Sequence, residues 1–279
     1  MKTKFLKCSY AIIIAALFAT ACDYEDRLSQ GTEDEEEQAL VSASVGEDAS
    51  DDALEITTQA EAQFAVDGGR AASFCGTVTK DKENKILTID FGDGCVGPYG
   101  RERKGKIFIA YSSTIGDNLA NRIITFDNYF VNNKGVGGTI ELRDISINDA
   151  GNLQSVKRLI ALTISFPNGE QIEFNGSRTR ELISGYADED PFNNIYKITG
   201  SVTGTSTAGR SFTHQISEPI IADWSCAARG NFPRVSGKVE MTRLGGYQNR
   251  MRIVDYGNGD CDNIITITTF RRTYTVTAN

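Results

Sequence analysis

From Phe74 onward, apolar residues recur at every second position, and this period decides the fold class. Ile160, Leu162, Ile164 and Phe166 alternate along one face. Ile172 and Phe174 alternate with Gln171, Glu173 and Asn175. Ile107, Ile109 and Tyr111 alternate with Phe108 and Ala110, which predicts burial on both faces there. Turn signals separate the runs. Pro167-Asn168-Gly169-Glu170 is the sharpest, because Asn-Gly accepts positive φ at both turn positions. Asn132-Asn133-Lys134-Gly135, Asp149-Ala150-Gly151-Asn152, Thr207-Ala208-Gly209-Arg210 and Leu244-Gly245-Gly246 are similar. Thr-rich stretches at 199–207 and 266–275 favour strand, since β-branched side chains suit a pleated surface.

These runs predict an all-β domain over residues 70–279, an antiparallel meander of about a dozen strands. Strands do not alternate with helices, which argues against a parallel sheet. A sheet this wide seldom stays open and flat, so a curled sheet, a sandwich or a barrel-like form is expected.

The N-terminus has a different character. Lys2, Lys4 and Lys7 are basic, and Tyr10 to Phe18 is an apolar run too short to span a bilayer. Residues 1–21 therefore read as a cleaved signal peptide. The stretch Leu17-Phe18-Ala19-Thr20-Ala21-Cys22 resembles the lipobox of bacterial lipoproteins, with Ala19 where that family usually has Leu. The resemblance implies acyl chains on Cys22 and an anchor in the membrane. Several chains hold a protein far more firmly than one. Asp23-Tyr24-Glu25-Asp26 resembles the surface-export signal of some Bacteroidota lipoproteins. That implies an outer-membrane site, facing either the cell surface or the periplasm.

Residues 23–62 hold fourteen acidic residues and one basic residue, Arg27. The whole chain is −8, this segment −13 and the export segment +3, so residues 63–279 carry about +2. The acidity therefore belongs to the N-terminal segment and says little about the partners of the β domain. Residues 22–52 are expected to form a lipidated, like-charged flexible tether. A short helix is expected over 53–69, with Asp52 as N-cap, Glu55 in the capping-box position and Gly68-Gly69 at its end.

The chain has six cysteines, at 8, 22, 75, 95, 226 and 261. Cleavage removes Cys8, and lipidation of Cys22 leaves an even four for an oxidising compartment. Ile-Asp-Phe-Gly-Asp-Gly-Cys (89–95) recurs as Val-Asp-Tyr-Gly-Asn-Gly-Asp-Cys (254–261). Each copy has one cysteine upstream, so Cys75–Cys95 and Cys226–Cys261 are the economical disulfides among three possible pairings. Widely spaced thiols without a CxxC pair make a poor zinc site. The Asp/Gly runs also allow calcium, but neither copy has the EF-hand pattern, and a stapled turn after a strand explains the same residues.

The first copy, then Arg103-Lys104-Gly105-Lys106-Ile107, Ile124-Thr125-Phe126-Asp127-Asn128-Tyr129, Ser177-Arg178-Thr179-Arg180 and the second copy together resemble uncharacterised Bacteroidota lipoproteins. The resemblance covers most of residues 74–270 and implies a compartment and a β-rich body. It carries no activity and no functional residues.

His214 is the only histidine, and it sits between Phe212 and Ile216 on one strand face, where packing is its expected role. No nucleophile elbow or phosphate-cradling loop is present, and no cofactor or metal is expected. Arg101-Glu102-Arg103-Lys104-Gly105-Lys106 reads as a solvated basic hairpin. Trp224 and the tyrosines read as core or cross-strand partners before sugar platforms. The expected function is a membrane-anchored, non-enzymatic binding or envelope-structural protein. Its partner would be a protein or glycan ligand rather than nucleic acid. The alternative is a glycan-acting hydrolase with paired carboxylates.

Overall fold

The computed structural model describes residues 40, 43–44, 46–62, 75–97, 100–185, 190–207, 209–243 and 251–278. Cys22, the signal peptide, residues 23–39, Gly68-Gly69 and Leu244-Gly245-Gly246 lie outside the described residues. One described residue, Leu40, falls in a separate N-terminal unit; everything below concerns the unit from Ala43 to Asn279.

Fourteen strands follow in chain order: β1 (Thr77–Asp81), β2 (Ile86–Asp90), β3 (Cys95–Val96), β4 (Glu102–Tyr111), β5 (Arg122–Val131), β6 (Lys134–Ile147) and β7 (Leu153–Ser165). Then come β8 (Gln171–Ser184), β9 (Ile195–Thr205), β10 (Ser211–Asp223), β11 (Arg234–Arg243), β12 (Met251–Asn258), β13 (Ile264–Thr268) and β14 (Thr273–Thr277). They make one antiparallel sheet in which each strand pairs with its neighbours in sequence; the short β3 pairs with the start of β4, beyond the end of β2. The chain is thus a meander. The sheet is not closed, since among the described residues β1 pairs only with β2 and β14 only with β13.

Turn chemistry sets the register. Asn132 and Asn133 both have positive φ and link the paired residues Val131 and Lys134 by a two-residue turn. Asn168-Gly169 behaves differently from expectation. Only Gly169 has positive φ, and Phe166 donates its backbone N–H to Glu170 O across a three-residue loop. The same hairpin recurs at Asn148–Asn152 and Ser206–Arg210, with Gly151 and Gly209 in the corresponding place.

One face of the sheet is apolar, as the alternation requires. Leu87, Ile89, Ile107, Ile109, Ile124 and Ile140 are fully buried, whereas Phe108 and Ala110 are half-buried, so β4 presents one buried face rather than two. Ile160 departs from its expected face. Ala161 takes φ 44° and the β7–β8 register slips between Leu159 and Leu162. That bulge turns Ile160 outward, leaving Leu159, Leu162 and Ile164 in the core.

A helix fills the buried side. Residues 43, 44 and 46–62 are helical (α1), so the helix begins within the segment expected to be a tether and runs past the expected start at 53. Asp52 is not its cap but an interior, fully buried residue. Ala43, Ala49, Ala53, Leu54, Ile56 and Ala60 are buried on several sides of the helix, so α1 is a core element and not a surface helix. Small residues permit close approach: a Cβ at Gly46 would lie 2.7 Å from the Phe174 ring. A second helix, α2 (Trp224–Ala228), has Asp223 as N-cap, its side chain accepting from the Ser225 N–H. No described helix is long and apolar enough to cross a membrane.

Gly105 carries a testable demand. Its φ is 81°, and a Cβ there would sit 2.0 Å from Asn128 O, at the bulge that shifts the β4–β5 register. Gly105→Ala is expected to lower stability by at least about 1–3 kcal/mol, the usual cost of a strained backbone position. Urea denaturation checks this, and an unchanged midpoint would show that the bulge is not a fixed feature.

Candidate functional site

Helix geometry places residues four apart on one face. Glu47, Asp51 and Glu55 form one such row, and Asp48 and Asp52 a second beside it. In a solvated segment these charges would repel. Here Glu47, Asp48, Asp51 and Asp52 face cations carried by the sheet, while Glu55 accepts from Gln59 on the same helix.

Arg103 meets Asp52 with both ends of its fork, Nη2 at 2.6 Å from Oδ1 and Nε at 3.0 Å from Oδ2. Arg101 bridges Asp48 at 3.1 Å and Asp52 at 3.2 Å. Lys157 pairs with Asp51 and donates to Ser50 Oγ at 2.7 Å. Arg234 spans Asp51 at 2.7 Å and Glu47 at 3.2 Å. Arg178 pairs with Glu47 and donates to the backbone oxygens of Gly200 and His214. At the far end of α1, Arg122 holds Glu61 at 2.7 and 3.1 Å, and Tyr111 donates its hydroxyl to the same carboxylate. Such two-pronged pairs are the strongest kind of charge-assisted hydrogen bond.

The sheet alone would be frustrated. Lys157 and Arg178 are directly opposite on β7 and β8, where like charges repel. Asp51 and Glu47, inserted from α1, neutralise them. Burial pushes the Asp51 carboxyl up, but Lys157 and Arg234 override it and hold it well below the usual carboxylate range. Glu47 follows the same logic: burial raises it, and Arg178, His214 and Arg234 bring it far down. Asp52 is held low by Arg103 and Arg101 against its burial. Lys157 is lowered by burial, with Asp51 opposing the shift and the nearby Arg180 adding to it.

The residues singled out from sequence fall into place around this network. Cys75–Cys95 and Cys226–Cys261 are disulfides, with Cα separations of 5.9 and 5.3 Å. The repeated Asp/Gly elements are turns whose leading carboxylate is engaged: Asp90 accepts from Gly92 N–H and pairs with Lys106, and Asp255 accepts from Gly257 N–H. His214 is fully buried, edge-on to Phe212, with Nδ1 donating to Glu47 at 3.1 Å. Trp224 is 1% exposed and presents no platform to a sugar. The expected basic hairpin at 101–106 is instead the entry to β4, and Arg103 is 1% exposed. Its charge is taken up by Asp52 rather than by solvent.

Arg180 stands apart. It lies on β8 with 5% exposure, its guanidinium 4.1 Å from the centre of the Tyr196 ring. No carboxylate among the described residues is within 4 Å, and its Nε has no hydrogen-bond partner there. It borders a cavity of about 400 Å³ between the last turns of α1 and the sheet. Leu54, Leu142, Leu182 and Tyr196 line the buried part, and the exposed Lys80, Gly116 and Asn118 form its mouth. Arg180 is thus a buried, stacked cation, with no carboxylate in contact among the described residues, at the floor of a cleft that reaches solvent.

Compared with known protein families, with curated proteins and with solved structures, the chain finds no match.

The network makes stability acid-sensitive. Carboxyls whose folded-state pKa is depressed contribute fully above their unfolded value of roughly 4 and lose that contribution as pH falls through the folded values. The thermal midpoint is expected to be flat from neutrality to about pH 5 and to fall steadily below about pH 4. Asp51→Asn leaves Lys157 and Arg234 buried without their shared anion and is expected to cost about 3–5 kcal/mol at neutral pH, with a shallower acid slope. Urea titrations across pH measure both, and parallel slopes for the two proteins would remove Asp51 from the network.

Proposed function

We propose that this chain is an exported lipoprotein, anchored through acyl chains on Cys22 at the outer membrane, whose β domain binds a small ligand without transforming it. The anchor rests on the basic start, the short apolar run and Ala19-Thr20-Ala21-Cys22. An oxidising compartment accords with the two disulfides.

The observation that carries the binding reading is the cavity of about 400 Å³ between α1 and the sheet. Its size falls within the usual range for small-molecule sites, and its lining mixes leucine and isoleucine side chains with polar groups that include Glu61, Arg122 and Arg180. The carboxylates that pair with Arg103, Lys157, Arg178 and Arg234 do not suit catalysis. A glycosidase needs one carboxyl kept protonated near neutral pH. Glu47, Asp51 and Asp52 are all held low, each against a buried cation. These carboxylates act as structural counter-ions, which favours binding over hydrolysis.

Two measurements test the proposal. The intact mass of membrane-extracted protein is expected to match residues 22–279 plus acyl chains, and Cys22→Ser is expected to release the protein from the membrane fraction. Native mass spectrometry of the gently extracted protein is expected to show a non-covalent small molecule. An unmodified Cys22 would end the lipoprotein reading, and a ligand-free spectrum together with no binding of small-molecule probes in calorimetry would end the binding one.

A further inference from the structure

Resting on the reading of the cavity as a binding site, we propose that its ligand is an apolar monocarboxylate whose head pairs with Arg180. Three observations converge. The first is charge. Arg101, Arg103, Arg122, Lys157, Arg178 and Arg234 each have a carboxylate on α1. Arg180 has none within contact, although it is as deeply buried as its neighbours. Asp51 attracts it from a distance, but both Asp51 oxygens are engaged, one by Lys157 and one by Arg234. Among the described residues Arg180 therefore has no carboxylate in contact at the cavity wall, and its charge suits a single negative charge.

The second observation is preorganisation. Tyr196 stacks on the Arg180 guanidinium, and its own hydroxyl accepts from Asn194 Nδ2 at 3.2 Å. Across the sheet, Arg180 is registered opposite Ser155 on β7 and Ile198 on β9, so its backbone is held on both sides. Arginine offers a planar fork that matches a carboxylate with two parallel hydrogen bonds. A fork held in place before the ligand arrives loses little further freedom on binding.

The third is the shape of the remaining space. Leaving Arg180, one side of the cavity is built by Leu54, Leu142, Ile145, Leu153 and Leu182, with the paired Glu61 and Arg122 also on the wall, before it reaches the exposed mouth at Gly116 and Asn118. At about 30 Å³ per water-sized group, 400 Å³ holds roughly a dozen non-hydrogen atoms. That matches a medium-length acyl chain or a compact apolar ring bearing one carboxylate. A dianionic phosphate would bring a second negative charge that no unpaired buried cation among the described residues answers.

Three probes with the same chain, octanoate, 1-octanol and octylamine, separate head from body in calorimetric titrations of the full mature protein. Octanoate is expected to bind at one site, at least about tenfold more tightly than octanol, because a hydrogen bond to a charged group is lost with the carboxylate. Octylammonium is expected to be rejected. Arg180→Met keeps the bulk and removes the charge, and it is expected to bring octanoate down to the affinity of octanol. Circular dichroism checks that the variant is folded; if it is not, the three-probe order in the native protein decides. Equal binding of octanoate and octanol, or full octanoate affinity in Arg180→Met, overturns the role of Arg180 while leaving a binding cavity in place. If none of the probes binds but native mass spectrometry still shows a small molecule, the ligand class is wrong and the binding reading stands. If neither method finds a ligand, both fall.

Discussion

The fold depends on opposite charges meeting across the core. Arg103, Lys157, Arg178 and Arg234 project from the sheet into space that an ordinary β protein fills with apolar side chains. Each carries a desolvation penalty that only a well-placed anion offsets. Helix α1 supplies those anions at four-residue intervals, and its alanines let it lie close to the strands. Neither partner is reasonable alone. The helix segment has the composition of a disordered tether, and the sheet alone would set Lys157 directly against Arg178. This mutual dependence makes α1 part of the folded domain rather than an appendage.

Buried ion pairs seldom add net stability compared with apolar residues of the same volume, but they penalise wrong arrangements heavily. A one-residue rotation of α1 would take Glu47 from Arg178 and Arg234, and Asp51 from Lys157. The network therefore sets the orientation and depth of the helix, while apolar contacts such as Leu54 and Ile56 supply the burial. The cavity follows from the same placement. It lies beside Leu54, Thr58 and Glu61 on α1, where the dense pairing around Glu47 and Asp51 gives way to leucines on the sheet.

Much of the β architecture was legible in the sequence because its signals are local. Period-two alternation and Asn/Gly turns are read within a few residues, and the meander joins strands that are neighbours along the chain. The cysteine pairs were legible because the repeated element brackets them. The face of Ile160 was not, since a bulge at Ala161 leaves no strong mark in sequence and reverses the alternation. The role of α1 was not legible for a deeper reason. Read alone, Glu47, Asp48, Asp51 and Asp52 predict repulsion. Their partners lie on or just before β4 and on β7, β8 and β11, about fifty residues away or more. A signal was present on the sheet side: Arg178 and Arg180 share the phase of Ile172, Phe174 and Leu182, so the buried face of β8 carries cations that need an answer.

That reasoning also separates Arg180 from the rest. If inward cations exist only to receive α1, the positions that α1 cannot answer should be apolar. Arg180 violates this, although leucine or isoleucine would fill its place on β8 without a desolvation penalty. Stacking on Tyr196 offsets only part of that penalty, since a cation–π contact is worth about 2 kcal/mol when desolvated. A structural cation would be expected to sit against a carboxylate, as its neighbours do. Placed instead at the wall of a cleft that reaches solvent, Arg180 fits a group whose counter-ion arrives with the ligand.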